Sequence, residues 1–181
     1  FLRPPGEAVL YIFDLGYWAY KLFDTILDHG QHFLSRLRQD CNPLVLAVTR
    51  GDPHWIGQRL KSIQLTGQQV DLTVHLSSDN PAQPQMCHDV RLVGQYIEQD
   101  SEWHLYVTSL LDSTLYTAGV LMDLYRLRWQ IEILFRNLKC VLRIANFVST
   151  TDNGIRIQIY AALIHYVLTH LVILKAMHLT G

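Results

Sequence analysis

Apolar residues along this chain change their spacing twice, and the changes divide it into three parts. In "EAVLYIF" (7–13) strand-forming residues make a short run that ends at Asp14. "DLGYWAYKLFDTILDHG" (14–30) switches to helical periodicity, with Gly30 as the stop. "QHFLSRL" (31–37) reads as the next strand, so the opening is a strand–turn–helix–strand unit of the α/β kind. Between about 43 and 110 the runs are short, alternating or β-branched: "PLVLAVTR", "KSIQLTG", "QQVDLTVHL", "DVRLVGQYI" and "WHLYVTSL". Gly, Pro, Asn and Asp separate them, which predicts an antiparallel β-rich insertion with "SSDNPAQPQ" (77–85) as its most mobile loop. From Ser113 the period is helical again. Asp112, Ser113 or Thr114 offers a cap, and one long helix is expected to run to about Leu142. After a break at "STTDNG", a last apolar helix occupies 159–179. The layout is α/β, then β, then α, without internal repeats.

Composition narrows the class. With 181 residues, 49% hydrophobic and 17% charged, the chain is globular and long enough for one domain with an insertion. Fifteen basic against sixteen acidic side chains argue against a generally basic nucleic-acid binder, though not against a local basic patch. Cys41, Cys87 and Cys140 lie far apart, which favours reduced thiols in a cytoplasmic protein over a disulfide framework or zinc site. The final helix is long enough to raise a membrane question. His165, His170 and Lys175 interrupt it, so a buried helix of a soluble domain is the expectation. The two histidines are five residues apart, a poor match to one helix face, and are not read as a metal pair.

The candidate chemistry lies in "YRLRWQIEILFRNLK" (125–139). On one continuous helix, Tyr125, Arg128, Glu132, Arg136, Lys139 and Arg143 would project within a stripe of about 80°. Leu127, Ile131, Leu134, Leu138 and Leu142 would face the other way and pack inward. Two readings fit a single carboxylate among cations. One is an ion-pair ladder, worth a few tenths of a kcal/mol per pair. The other is a metal ligand flanked by phosphate-binding groups, which requires a second acid. Asp14 is placed to be that acid, because α/β sheets bring ligand groups to the carboxyl ends of their strands. Its plainer reading, and the one position alone favours, is a helix N-terminal acid that complements the helix dipole.

The spacing Tyr125, Arg128, Glu132, Lys139 resembles the Y-R-E-K signature of DDE transposases of the insertion sequence four family. "FDLGYW" (13–18) resembles that family's second-Asp segment, "WHLYVTSL" the strand leading to the motif helix, and "IYAALIHYVL" its closing helix. The resemblance implies an α/β fold over residues 1–181. Its parts would be an RNase H-like catalytic core truncated at its N terminus, a β-rich insertion at 43–110, and C-terminal helices. It further implies DNA transposition by two-metal phosphodiester chemistry with Mg2+, for which Mn2+ substitutes. Asp14 and Glu132 would be the catalytic metal ligands, and Tyr125, Arg128 and Lys139 would contact phosphates. Arg136 and Arg143 share the stripe but not the motif. Trp103 either stacks on an extruded base or is a half-buried strand residue, and the two readings weigh equally. Transposon-end and target DNA, a homodimer on DNA and a cytoplasmic, nucleoid-associated bacterial setting are the implied partners and place.

The family pattern has an earlier Asp for which this chain shows no match. Glu7 is too close to Asp14, and Asp123 projects to the other side of the helix. The expectation is a piece of a catalytic domain that does not cut DNA alone and whose sheet has an exposed edge. The competing expectations are a non-catalytic DNA-binding module and, far behind, a membrane or interaction protein built around 159–179.

Overall fold

The computed structural model describes residues 4, 8–77, 85–142 and 149–180, so Glu7, Arg143 and loop residues 78–84 lie outside the described residues. The chain forms two compact units, Phe1–Arg128 and Trp129–Gly181.

The first unit is built on one six-stranded sheet. Its strands are β1 (Leu10–Phe13), β2 (His32–Arg36), β3 (Leu44–Arg50), β4 (Gln69–His75), β5 (Asp89–Ile97) and β6 (Glu102–Thr108). Their order is β1-β2-β6-β5-β4-β3. β1 and β2 run parallel, and every other pairing is antiparallel. The antiparallel strands expected between 43 and 110 are therefore present, and they extend the same sheet that β1 and β2 begin. "KSIQLTG" is an exception to the predicted strands. A short 3-10 turn, Leu60–Ser62, stands at its start and no named strand follows until Gln69, although Ile63 and Thr66 are β-branched and favour extension.

Alternation along the strands makes two cores. Phe33, Leu92 and Val107 join Phe23 and Ile26 of helix α1 (Tyr20–Asp28) on one face. Their neighbours Leu34, Val93 and Tyr106 join Leu121, Met122 and Tyr125 of helix α2 (Ala118–Arg126) in the other cluster. A slip of one residue in β2 would send each set to the wrong side, so register is strongly specified. Phe23 stacks on Phe33 with ring centroids 4.2 Å apart, and both are fully buried, each worth about 1.5–3 kcal/mol of burial. Helix α1 ends as predicted: Gly30 takes φ +67°, the left-handed conformation that glycine adopts without a Cβ penalty.

One long helix from 114 to 142 is not what forms. Asp112 instead caps a turn, accepting the backbone N–H groups of Thr114 and Leu115. Thr117 is the cap of α2, its hydroxyl accepting from the Val120 N–H. Helix α2 stops at Arg126, and Leu127 and Arg128 donate to the carbonyls three residues back, the tighter 3-10 pattern. No Pro or Gly marks this break, so periodicity runs straight across it.

In the second unit, α3 (Trp129–Leu142) packs with α4 (Asp152–Thr180). Here the expected burial is not met. Ile131, predicted to pack inward, is more than half exposed, as is Leu127 at the end of the first unit, while the side chains of Leu138 and Leu142 lie outside the described ones. Along α4, Ile157, Tyr160, Ile164, Leu168, Leu171 and Val172 are also exposed, and Ala162 is the buried apolar residue among those described. Its apolar residues lie on all sides of the helix. Asp152–Ile173 is long and apolar enough to cross a membrane by length and composition, a property that core helices share.

Candidate active site at the end of the first strand

Asp14 is the first residue beyond β1, at the carboxyl end of the parallel pair β1 and β2. Its side chain caps the 3-10 turn Leu15–Tyr17 by accepting the Leu15 N–H at 2.7 Å, and its carbonyl accepts the Tyr17 N–H at 3.0 Å. These local bonds fix the carboxylate at the strand end. The other carboxylate oxygen, Oδ2, accepts from Nη1 of Arg128 at 3.0 Å, a contact between residues 114 positions apart.

Arg128 is itself held from behind. Its guanidinium carbon lies 5.6 Å from the centre of the Tyr125 ring, and that ring lies 4.9 Å from the Tyr106 ring on β6. A cation over a ring face contributes about 0.5–2 kcal/mol, more as water is excluded. The Arg128 side chain is 18% exposed and that of Asp14 is 53% exposed. The arginine is thus mostly enclosed, while the carboxylate opens to solvent. Burial pushes the Tyr125 hydroxyl above its ordinary value, with the Arg128 charge acting weakly the other way, and burial raises Tyr106 likewise. Both phenols are neutral packing elements at physiological pH.

Three of the residues singled out from sequence therefore meet in the first unit: Asp14, Tyr125 and Arg128. Tyr125 does so as a core residue, 9% exposed, that backs Arg128. Trp103, on β6, is half-buried against the first core and tilted against Tyr96 at 5.7 Å. It borders a cleft of about 800 Å³ that also takes in Leu15, Arg36, Arg38 and Lys61. Gly94 lies beneath it, where a Cβ would fall 2.5 Å from Leu105 Cδ2 and 3.4 Å from the Trp103 ring. Glu132, Arg136 and Lys139 lie on α3 in the second unit, with Glu132 half-exposed and the two cations exposed. Arg143 lies outside the described residues.

Two groups escaped the sequence reading. Arg91 and Asp71 form a buried pair across β4 and β5, with Nε and Nη2 donating to the carboxylate at 2.8 and 2.6 Å. Nη1 of Arg91 donates to the carbonyls of Leu110 and Tyr116, at 3.2 and 2.6 Å, and so ties the segment before α2 to the sheet. The available signal was two opposite charges inside strands that otherwise read as apolar. The second group is Asp100, Glu102 and His104 at the β5–β6 turn, whose ligating atoms lie within 4.8 Å of one another. These side chains are engaged with each other, and Glu102 also pairs with Arg36. Cys41 is a buried thiol and Cys87 an exposed one.

The Transposase DDE domain family profile matches residues 2–168. A Sinorhizobium fredii protein named as the transposase y4zB is 31% identical over 164 residues, covering 90% of this chain and 42% of its own length. A Synechocystis protein named as the transposase of insertion sequence element IS4SA is 32% identical over 83 residues, covering 44% of this chain and 24% of its own. A Geobacillus stearothermophilus protein named for insertion sequence element IS5377 is 37% identical over 62 residues, covering 34% and 16%. The chain thus spans less than half the length of the curated relatives it matches. No solved structure matches. A profile match across nearly the whole chain, together with a relative 31% identical over 90% of it, places this chain in the DDE transposase domain family.

Proposed function

We propose that this chain supplies part of an RNase H-like catalytic core that binds transposon-end DNA and, in the complete transposase, cleaves and joins phosphodiester bonds. The observation that carries the reading is the meeting of Asp14 with Arg128 at the carboxyl end of β1. An acid from the second-Asp segment and an arginine from the Y-R-E-K signature come together from distant parts of the chain. The mixed sheet, with a parallel pair at one edge and helices α1 and α2 packed against its two cores, supports the RNase H-like assignment.

The donor set suits a hard divalent cation such as Mg2+ or Mn2+. Asp14 offers a carboxylate that is half open to solvent at the strand end, and its hard oxygens suit such an ion. Asp14 and Glu132 are the proposed ligands. A bound pair of ions supplies activation of the attacking oxygen and stabilisation of the leaving one. The protein's own side chains hold the DNA: Arg128, Arg136, Lys139 and Arg143 neutralise phosphates, and Trp103 stacks on a base at the edge of its cleft. Tyr125 acts with them by fixing the Arg128 guanidinium from behind. With only Asp14 and Glu132 as proposed carboxylate ligands, the ions would be held loosely, so the chain by itself is proposed not to cut DNA. A homodimer on DNA and a cytoplasmic, nucleoid-associated setting belong to the same proposal.

The test is duplex binding across a salt series. Arg128→Gln and Lys139→Gln are expected to weaken binding on all sequences and each reduce the salt slope by about 1. Slopes unchanged in both variants would refute the phosphate-binding role. Metal-dependent nicking by the chain alone, lost in Glu132→Ala, would refute its proposed inactivity.

A further inference from the structure

We infer that Arg128 is a positioning residue with two alternative partners, the Asp14 carboxylate and a DNA phosphate, and that this exchange couples DNA binding to metal binding. The inference rests on the proposed function for the identity of both ligands, and it adds a regulation that the function alone does not require.

The geometry sets up a competition. Asp14 Oδ2 takes a hydrogen bond from Arg128 at 3.0 Å, while its other oxygen is engaged with the Leu15 N–H. A divalent cation approaching the carboxylate on the Oδ2 side meets the guanidinium and is repelled by its charge. A phosphate approaching Arg128 likewise meets the negative charge of Asp14. Each ligand therefore binds more weakly while the pair is closed. Once a phosphate draws the Nη1 donor away, the carboxylate gains an open oxygen, and once an ion neutralises the carboxylate, the arginine is released to the phosphate. Metal and DNA thus help one another, by the same factor in both directions, as linkage requires.

The surroundings favour an exchange over a permanent structural pair. Asp14 is held by its own turn, and Arg128 by the Tyr125 ring, so neither depends on the other for its place. The Tyr125 ring meets the guanidinium by its face and offers it no hydrogen-bond acceptor, so it does not compete with carboxylate or phosphate for the N–H donors. The carboxylate, at 53% exposed, can be reached from solvent. Breaking an ion pair of this exposure costs a factor of about two to five, small enough for either ligand to overcome.

The experiment measures Mn2+ binding to the whole chain by water-proton relaxation, with and without a short DNA duplex, and duplex affinity with and without Mn2+. For the natural chain the two affinities are expected to rise together, by about two- to fivefold. Arg128→Gln is expected to bind Mn2+ about two- to fivefold more tightly without DNA and to lose the coupling. Asp14→Asn is expected to lose Mn2+ binding while binding the duplex more tightly in its absence. Equal or weaker Mn2+ binding by Arg128→Gln, with Asp14→Asn still deficient, would overturn the exchange and leave the proposed function standing. Unchanged Mn2+ binding in Asp14→Asn would overturn both. Circular dichroism on each variant separates these outcomes from unfolding. Should Arg128→Gln not fold, the gain in duplex affinity of Asp14→Asn decides, and its absence overturns the exchange.

Discussion

Arg91→Ala is expected to be among the most damaging single substitutions in the first unit. Arg91 is 3% exposed, and its guanidinium serves both oxygens of Asp71 and the carbonyls of Leu110 and Tyr116. Truncation leaves a nearly buried carboxylate without its counter-charge, which costs about 3–5 kcal/mol. That is a large share of the 5–15 kcal/mol by which domains are stable. For a chain of this length it corresponds to a fall in Tm of about 6–20 °C. Replacing both partners, Asp71→Leu with Arg91→Met, removes the uncompensated charge and leaves only the loss of the two carbonyl bonds, about 1–3 kcal/mol each, which Arg91→Ala suffers as well. The double variant should therefore be more stable than Arg91→Ala. Urea titration followed by tryptophan emission reads both, since Trp55 and Trp103 pack in this unit. An Arg91→Ala variant within 1 kcal/mol of the natural chain, or a double variant less stable than the single, would refute the argument.

Other perturbations follow from the same packing. Gly94→Ala drives a Cβ to 2.5 Å from Leu105 and 2.8 Å from Val70, so a loss of about 1–3 kcal/mol with an altered Trp103 emission spectrum is expected in urea melts. Thr117→Ala removes the cap of α2 and should cost about 1 kcal/mol by thermal denaturation, with Thr117→Ser restoring most of it. Burial raises the Tyr106, Tyr125 and Tyr20 hydroxyls above their ordinary value. A raised phenol contributes stability that is complete below the unfolded value of about 10 and is lost as pH climbs toward the folded one. Stability measured in urea from pH 8 to 11 should hold until about 10 and then decline, less so in Tyr125→Phe.

Local periodicity was sufficient for much of this protein. The parallel opening unit, the Gly30 stop and the strands "QQVDLTVHL", "DVRLVGQYI" and "WHLYVTSL" were legible because each burial choice there is made by residues two or three apart. The Y-R-E-K spacing was legible as a pattern, and with it the family. Tertiary structure decided the rest. The strands between 43 and 110 join β1 and β2 in one sheet because the pairing of β2 with β6 closes across some seventy residues, a contact no local window contains. The motif helix breaks at Leu127 and Arg128 without Pro or Gly; there Tyr125 is held in a core and Arg128 reaches Asp14. Asp71 and Arg91 lie twenty residues apart in two different strands, and only the sheet brings them within hydrogen-bonding reach. Charge in a strand costs or stabilises according to what lies opposite, and only the folded chain supplies that neighbour.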